Sequence, residues 1–306
     1  MPSPRVALAP DEAPPWVRDA ITAGGGQLVA PADAEALVWV GGPDAASFEP
    51  VLAAAPGARW VQLPWAGVEP YAALLDPART WTCGKGVYAE PVAEHALALA
   101  LALAGLRRLP ERAAATVWGA AGGRTLFEAR VTILGGGGIT EALLGLLAPF
   151  RCDVTVLRNH PAPMRGAGRV LGPTQLEDAL VGADLVVVAL ALTPETTGIV
   201  DARALVLMED HAWLVNVGRG GHVVTDDLVA ALAAGVIGGA ALDVTEPEPL
   251  PEGHPLWSEP RCLITPHTAN TQEMARPHLV ARITENVRRF AADKPLLGLV
   301  DVGLGY

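Results

Sequence analysis

The glycine-rich turn LGGGGIT (134–140), Arg158, Arg219, Asp243 and His267 each sit at or just past the end of a short apolar run. Glu246 and Glu248 follow Asp243 by a few residues. The runs are VTIL (131–134), VTVL (154–157), WLVNV (213–217), GGAAL (238–242) and CLIT (262–265), and they read as buried strands. In an open parallel sheet, ligands bind beyond the carboxyl ends of the strands. Guanidinium, carboxylate and imidazole groups are therefore expected at one edge of one sheet. A guanidinium binds carboxylate or phosphate through paired in-plane donors. An imidazole near a carboxylate can give and take a proton close to neutral pH.

The glycine turn opens a helical stretch, ITEALLGLLAPF, and reads Gly135-x-Gly137-x-x-Thr140. Its glycines allow a tight turn and close approach of a pyrophosphate. Gly138 and Ile139 begin the helix whose first amides would face that phosphate, favoured by the helix dipole. The third glycine of such a motif, which normally permits close helix–strand packing, is replaced by Thr140. The next strand, in VTVLRNH (154–160), ends in Arg158, where dinucleotide sites usually carry Asp or Glu for the ribose hydroxyls. Arginine donates and cannot accept, so it suits a 2′-phosphate better than a 2′-hydroxyl. Asn159 and His160 add possible donors, and Arg165 lies on the same loop.

These groups need a scaffold, and the spacing supplies one. Six apolar runs, including LVVVAL (185–190), alternate with segments of helix length and describe a doubly wound, Rossmann-type domain. Residues 5–83 show a second series of the same kind, VALA, ALVWVGG and RWVQLPWAG among helical stretches, without a phosphate-type glycine turn. The expected fold is α/β, with two Rossmann-like or flavodoxin-like domains of parallel sheet. The expected division is a substrate domain, 1–100 completed by 280–306, and a dinucleotide-binding domain, 101–279. A helix from about 91 to 106 joins them, and a helical pattern over 272–292 returns the chain to the first.

Composition narrows the function classes. The chain has 306 residues, 51% of them hydrophobic, enough for two ordinary cores. The net charge of −11, with no basic run, argues against a nucleic-acid partner and leaves anionic ligands to locally placed arginines. HALALALALAGL (95–106) is too short to span a bilayer and is flanked by Glu94, Arg107 and Arg108, so it reads as a buried helix. Cys83, Cys152 and Cys262 lack metal or disulfide spacing, and the N-terminus has no apolar run after a basic start; a cytoplasmic protein without a metal is expected.

The segments PVAEHALAL, ALTPETTGIV, WLVNVGRGGHVVTDDLVAAL, GAALDVTEPEPLPEGHPLW and LITPHTA together resemble the D-isomer-specific 2-hydroxyacid dehydrogenase family over nearly the whole chain. The resemblance implies hydride transfer between a nicotinamide cofactor and a 2-oxo or 2-hydroxy acid, in a cleft between two domains, usually of a homodimer. It assigns Arg219, Glu248 and His267 as catalytic, favouring Glu248 over Glu246, and Asp243 as orienting the nicotinamide. The types fit the chemistry. A guanidinium can bind the acid and polarise its ketone, and the alkoxide formed by hydride needs a proton. A carboxylate on the other ring nitrogen fixes the tautomer and favours the charged ring. Thr193, Val217 and Gly218 join the cofactor set, and Asn216 supports the turn that aims Arg219.

In QLPWAGVEPY the family's substrate loop matches Ala66 and Gly67, with Trp65 where a small residue is common and Glu69 in place of Asp. Trp65 either belongs to the core or narrows the site, and Tyr88 is expected to line it. His95 reads as a packing residue, and His160, His211, His222, His254 and His278 as surface or loop residues. The expected cofactor is NADP(H), with NAD(H) possible, and the expected branch is glyoxylate/hydroxypyruvate reductase. A phosphoglycerate dehydrogenase and a cofactor-sensing corepressor remain alternatives. A formate dehydrogenase is disfavoured because it would carry glutamine at position 248. A methyltransferase would leave Arg219, Glu248 and His267 unexplained.

Overall fold

The computed structural model describes residues 3–104 and 123–305, arranged as two compact units. One comprises Met1–Tyr88 and Thr271–Tyr306, the other Ala89–Asn270. The expected boundaries at 100 and 280 shift because helices stay whole. A helix over Ala89–Ala104 packs on the second sheet, and the C-terminal helix Gln272–Ala291 belongs entirely to the first unit. Arg107 and Arg108, with the end of the expected 91–106 helix, lie outside the described residues. Among the described residues, no helix is long and apolar enough to cross a membrane.

In the first unit, buried apolar runs form five parallel strands: β1 (Arg5–Ala9), β2 (Gln27–Leu28), β3 (Ala36–Trp39), β4 (Trp60–Gln62) and β5 (Thr80–Thr82), in the order β2-β1-β3-β4-β5. Helix α1 (Pro15–Ala23) begins at a proline, whose missing N–H is no loss in a first turn. Helix α2 (Ala45–Ala53) is capped by Asp44, which accepts from the amides of Ala46 and Ser47. Trp39, Phe48, Tyr71 and Trp81 fill the core, and the Trp39 indole donates to the Tyr71 hydroxyl at 3.1 Å. Buried Asn286 of the C-terminal helix donates to Gln62 Oε1 and to Leu297 O, both at 2.9 Å, which ties that helix to β4 and to the chain's tail.

The second unit holds β6 (Arg130–Leu134), β7 (Asp153–Leu157), β8 (Arg169–Leu171), β9 (Leu185–Val188), β10 (Trp213–Asn216), β11 (Gly239–Leu242) and β12 (Cys262–Ile264). All are parallel, in the order β12-β11-β10-β9-β6-β7-β8. The chain reverses direction across the sheet between β6 and β9, the switch point where an open sheet forms its ligand crevice. β8 is a seventh strand beyond the six expected from the sequence. It is a three-residue edge strand with an exposed first residue, too short to show a buried run. The helix Ala89–Ala104 is α3, and α4 (Gly138–Leu147) follows β6 directly.

Candidate active site

His267 is the third residue after β12 and stands in the left-handed region, with φ of 51°. Few non-glycine residues adopt that conformation, and the surroundings must hold it. Here the His267 amide donates to the carbonyls of Asp243 (2.8 Å) and Thr265 (2.9 Å). The ring then meets Glu248: Nδ1 lies 2.6 Å from Oε1. Both side chains stay about half exposed, at 51% and 41%, so the pair is open to water and to a ligand. Of the two glutamates left open by spacing, Glu248 is the one that reaches the imidazole.

Asp243, at the end of β11, is nearly fully buried and organises this loop. Its Oδ1 accepts from the Thr265 hydroxyl (2.6 Å) and the Thr268 amide (2.8 Å), and its Oδ2 from the Ala269 amide (3.0 Å). His95, on α3, brings Nε2 to 3.0 Å from the Thr265 hydroxyl and 3.3 Å from Oδ1. Since Thr265 spends its only proton on Asp243, His95 must donate through Nε2. Burial raises the Asp243 carboxyl, but bonds from His95, Thr265 and the two amides outweigh it and hold it at about 2. The residue stays ionised, and most of its acceptor capacity is spent inside the protein.

Arg219 is carried by a turn after β10 that two buried polar side chains clamp. Asn216 donates through Nδ2 to Arg219 O (2.9 Å) and accepts from the Gly218 amide (3.1 Å). His222, expected as a surface or loop residue, is in a short turn but fully buried, with Nδ1 3.0 Å from both the amide and the carbonyl of Arg219. Gly220 lets this turn settle on the glutamate loop: a Cβ there would sit 1.9 Å from Thr245 O. Arg219 Nη1 donates to Gly218 O at 2.8 Å, which steadies the guanidinium. Close backbone packing thus brings the Arg219 turn against the segment that supplies Glu248.

The glycine turn has the shape a pyrophosphate needs. Gly135 has φ of +116°, and a Cβ on it would lie 2.4 Å from Ala189 O, so only glycine fits. Space around Gly137 is open, and Gly138 and Ile139 start α4 there. Thr140 is fully buried and donates to Gly135 O at 2.8 Å, so the residue that replaces the third glycine braces the turn. Arg158 folds over the turn from β7; a Cβ on Gly136 would meet its Cδ at 2.7 Å and its Nε at 2.8 Å. Asn159 and His160 are exposed beside it. Thr193 begins a turn after β9 closed by Thr196, and Val217 is buried with its amide on Val188 O. These residues fit a dinucleotide: open glycine backbone, a helix N-terminus and a cation at the next strand.

In the first unit, the loop after β4 carries Trp65, Ala66 and Gly67. The Trp65 ring is partly buried, and its indole N–H is buried without an acceptor among the described residues. Tyr88, expected to line the site, is instead buried, with its hydroxyl donating to Pro64 O.

Residues 97–269 match the model of the D-isomer specific 2-hydroxyacid dehydrogenase, NAD binding domain. The chain belongs to the D-isomer specific 2-hydroxyacid dehydrogenase family. It is 38% identical over 261 residues, 81% of its length, to an uncharacterized protein of Corynebacterium melassecola, of which it covers 84%. It is 35% identical over 178 residues to glyoxylate/hydroxypyruvate reductase A of Yersinia enterocolitica; the match covers 58% of this chain and 56% of that protein. The chain thus spans little more than half the length of that named reductase. The fold matches a D-isomer specific 2-hydroxyacid dehydrogenase from Xanthobacter autotrophicus Py2, solved with NADPH and MES, at a TM-score of 0.87 and 30% identity, covering 100% of both chains.

For a 2-hydroxyacid dehydrogenase of this family, a nicotinamide cofactor is the hydride carrier, and the second sheet presents the glycine turn, Arg158, Arg219, Asp243 and His267 at its carboxyl edge. His222 is a contributor to the Arg219 turn that residue spacing does not mark. Its only visible signal is its place two residues after GRG, where burial by the clamped turn leaves no hydrophobic pattern to read.

Proposed function

We propose that this dehydrogenase reduces small 2-oxo acids of the glyoxylate/hydroxypyruvate type, with NADPH preferred over NADH. The observation that carries the reading is the 2.6 Å His267–Glu248 pair on the sheet edge that also bears the glycine turn and Arg219. When bound, the nicotinamide supplies the hydride. Gly135, Gly137, Gly138 and Ile139 would hold its pyrophosphate, Arg158 and Asn159 the adenosine end, and Thr193, Val217, Gly218 and Asp243 its remaining length. The Arg219 guanidinium pairs with the acid and draws electron density from the ketone oxygen. His267, oriented by Glu248, gives its proton to that oxygen as it becomes an alcohol. Ala66 and Gly67, beside Trp65, supply backbone donors to the acid's carboxylate.

The named relative and the NADPH-bound neighbour support this choice of acid and cofactor. A homodimer in the cytoplasm belongs to the same proposal, on the family resemblance and three free thiols among the described residues. The test follows nicotinamide absorbance with NADPH and NADH across a panel of 2-oxo acids. Oxidation of the cofactor with glyoxylate and hydroxypyruvate is the expected result. Cofactor binding without turnover of any acid would favour a cofactor-sensing protein instead.

A further inference from the structure

Three consecutive carbonyls of the loop after β4 are tied to one short segment. Pro64 O accepts from the Tyr88 hydroxyl, Trp65 O from the Gly84 amide at 2.8 Å, and Ala66 O from the Cys83 thiol at 3.5 Å. A trans peptide is planar, with the N–H of each residue antiparallel to the preceding C=O. Tying those carbonyls toward residues 83–88 therefore turns the amides of Trp65, Ala66 and Gly67 the opposite way. None of the three has an acceptor among the described residues. With the unpartnered Trp65 indole, the loop offers donors, while the carbonyls that would repel an anion are occupied.

The segment that does the tying is itself fixed. Cys83 N donates to Gly298 O at 2.8 Å, and Arg282 of the C-terminal helix donates to Cys83 O and Lys85 O, both at 2.9 Å. Burial raises both the Tyr88 phenol and the Cys83 thiol, so each keeps its proton and remains a donor.

We propose that Tyr88 and Cys83 are positioning residues for the substrate: without touching it, they hold the 64–67 peptide planes so that three successive amides face the carboxylate. This rests on the 2-oxo acid reading above, and it replaces direct lining of the site by Tyr88 with an indirect role. Tyr88→Phe removes only the hydroxyl; Cys83→Ala removes the weaker sulfur donor and Cys83→Ser restores one.

The experiment measures kcat and KM for the acid, KM for NADPH, Tm, and the Kd of oxalate by calorimetry on the full chain. Tyr88→Phe is expected to raise KM for the acid and the oxalate Kd about tenfold, the equivalent of one lost hydrogen bond. KM for NADPH and kcat at saturating acid should stay near wild type. Cys83→Ala should show a smaller loss of the same kind, reversed in Cys83→Ser. Unchanged oxalate affinity and KM in both variants, with only a lower Tm, would overturn the proposal. If Tyr88→Phe does not fold, the Cys83 pair decides by the same oxalate readout. If the wild type reduces no 2-oxo acid yet its oxalate binding weakens in these variants, the loop assignment stands and the substrate reading falls.

Discussion

Nδ1 of His267 lies 2.6 Å from Oε1 of Glu248, on a residue whose backbone is held at φ of 51°. The left-handed conformation is paid for by the Asp243-centred loop, and it directs the ring at the glutamate. With Nδ1 engaged, Nε2 is the nitrogen left to deliver a proton. His267→Gln should therefore lower reductive turnover by about 10²–10⁴-fold, the usual contribution of general acid catalysis. Cofactor affinity, measured by fluorescence titration, should stay near wild type. Wild-type turnover in this variant would remove His267 from the mechanism.

Glu248→Gln keeps the shape of the pair and removes its charge. The amide can still meet Nδ1, so the ring keeps its orientation while the charge-assisted part of the hydrogen bond is lost. Reductive kcat is expected to fall by about tenfold, the difference between a charged and a neutral hydrogen bond, with KM for NADPH near wild type. Because both side chains are about half exposed, water screens the pair, and the loss should stay below that of a buried pair. Wild-type kcat in this variant would mean that Glu248 does not position His267.

Asp243 offers a stability test. Its carboxyl is held at about 2 against an ordinary 3.8, so the folded state favours the ionised form. A depressed carboxylate stabilises fully above its ordinary value, and that stability drains away as pH falls from about 4 toward about 2. The shift corresponds to about 2 kcal/mol by linkage. Asp243→Asn should melt several degrees lower at pH 7, with a flatter fall in Tm across that acid window. Superimposable acid melting curves for the two proteins would count against the hydrogen-bonded loop as the source of the effect.

The second sheet was legible because the strands beside its switch point, Arg130–Leu134 and Leu185–Val188, are almost wholly buried and read as largely apolar runs. β8 and the two-residue β2 were not, since two or three partly exposed residues leave no pattern. Arg219, Asp243 and His267 could be placed from their positions after strands alone. Choosing Glu248 over Glu246 needed the family register, because a proline-rich loop has no period to count along. The roles of His222 and Tyr88 were invisible for a different reason: each acts through contacts to backbone that folding alone creates. Tyr88 looks like a lining residue in the sequence, and only its bond to Pro64 O shows that its hydroxyl faces the protein.

We expect Arg158 to govern which nucleotide the glycine turn receives. It leaves β7 where an acid would accept a bond from a ribose hydroxyl, and its side chain lies across Gly136, at the turn itself. An arginine there cannot accept from a 2′-hydroxyl, and it can donate paired bonds to a 2′-phosphate. A charge-assisted hydrogen bond contributes roughly 1.5–3 kcal/mol, so one such bond favours NADPH by about tenfold or more. An aspartate at the same point would repel the phosphate and accept from the hydroxyl. We therefore expect the wild type to prefer NADPH in kcat/KM, and Arg158→Asp to reverse that ratio with little change in KM for the acid. Measuring kcat/KM for both cofactors in both proteins settles the matter. A wild type that prefers NADH, or a ratio that the substitution leaves unchanged, would make Arg158 a solvated strand end with no part in cofactor choice.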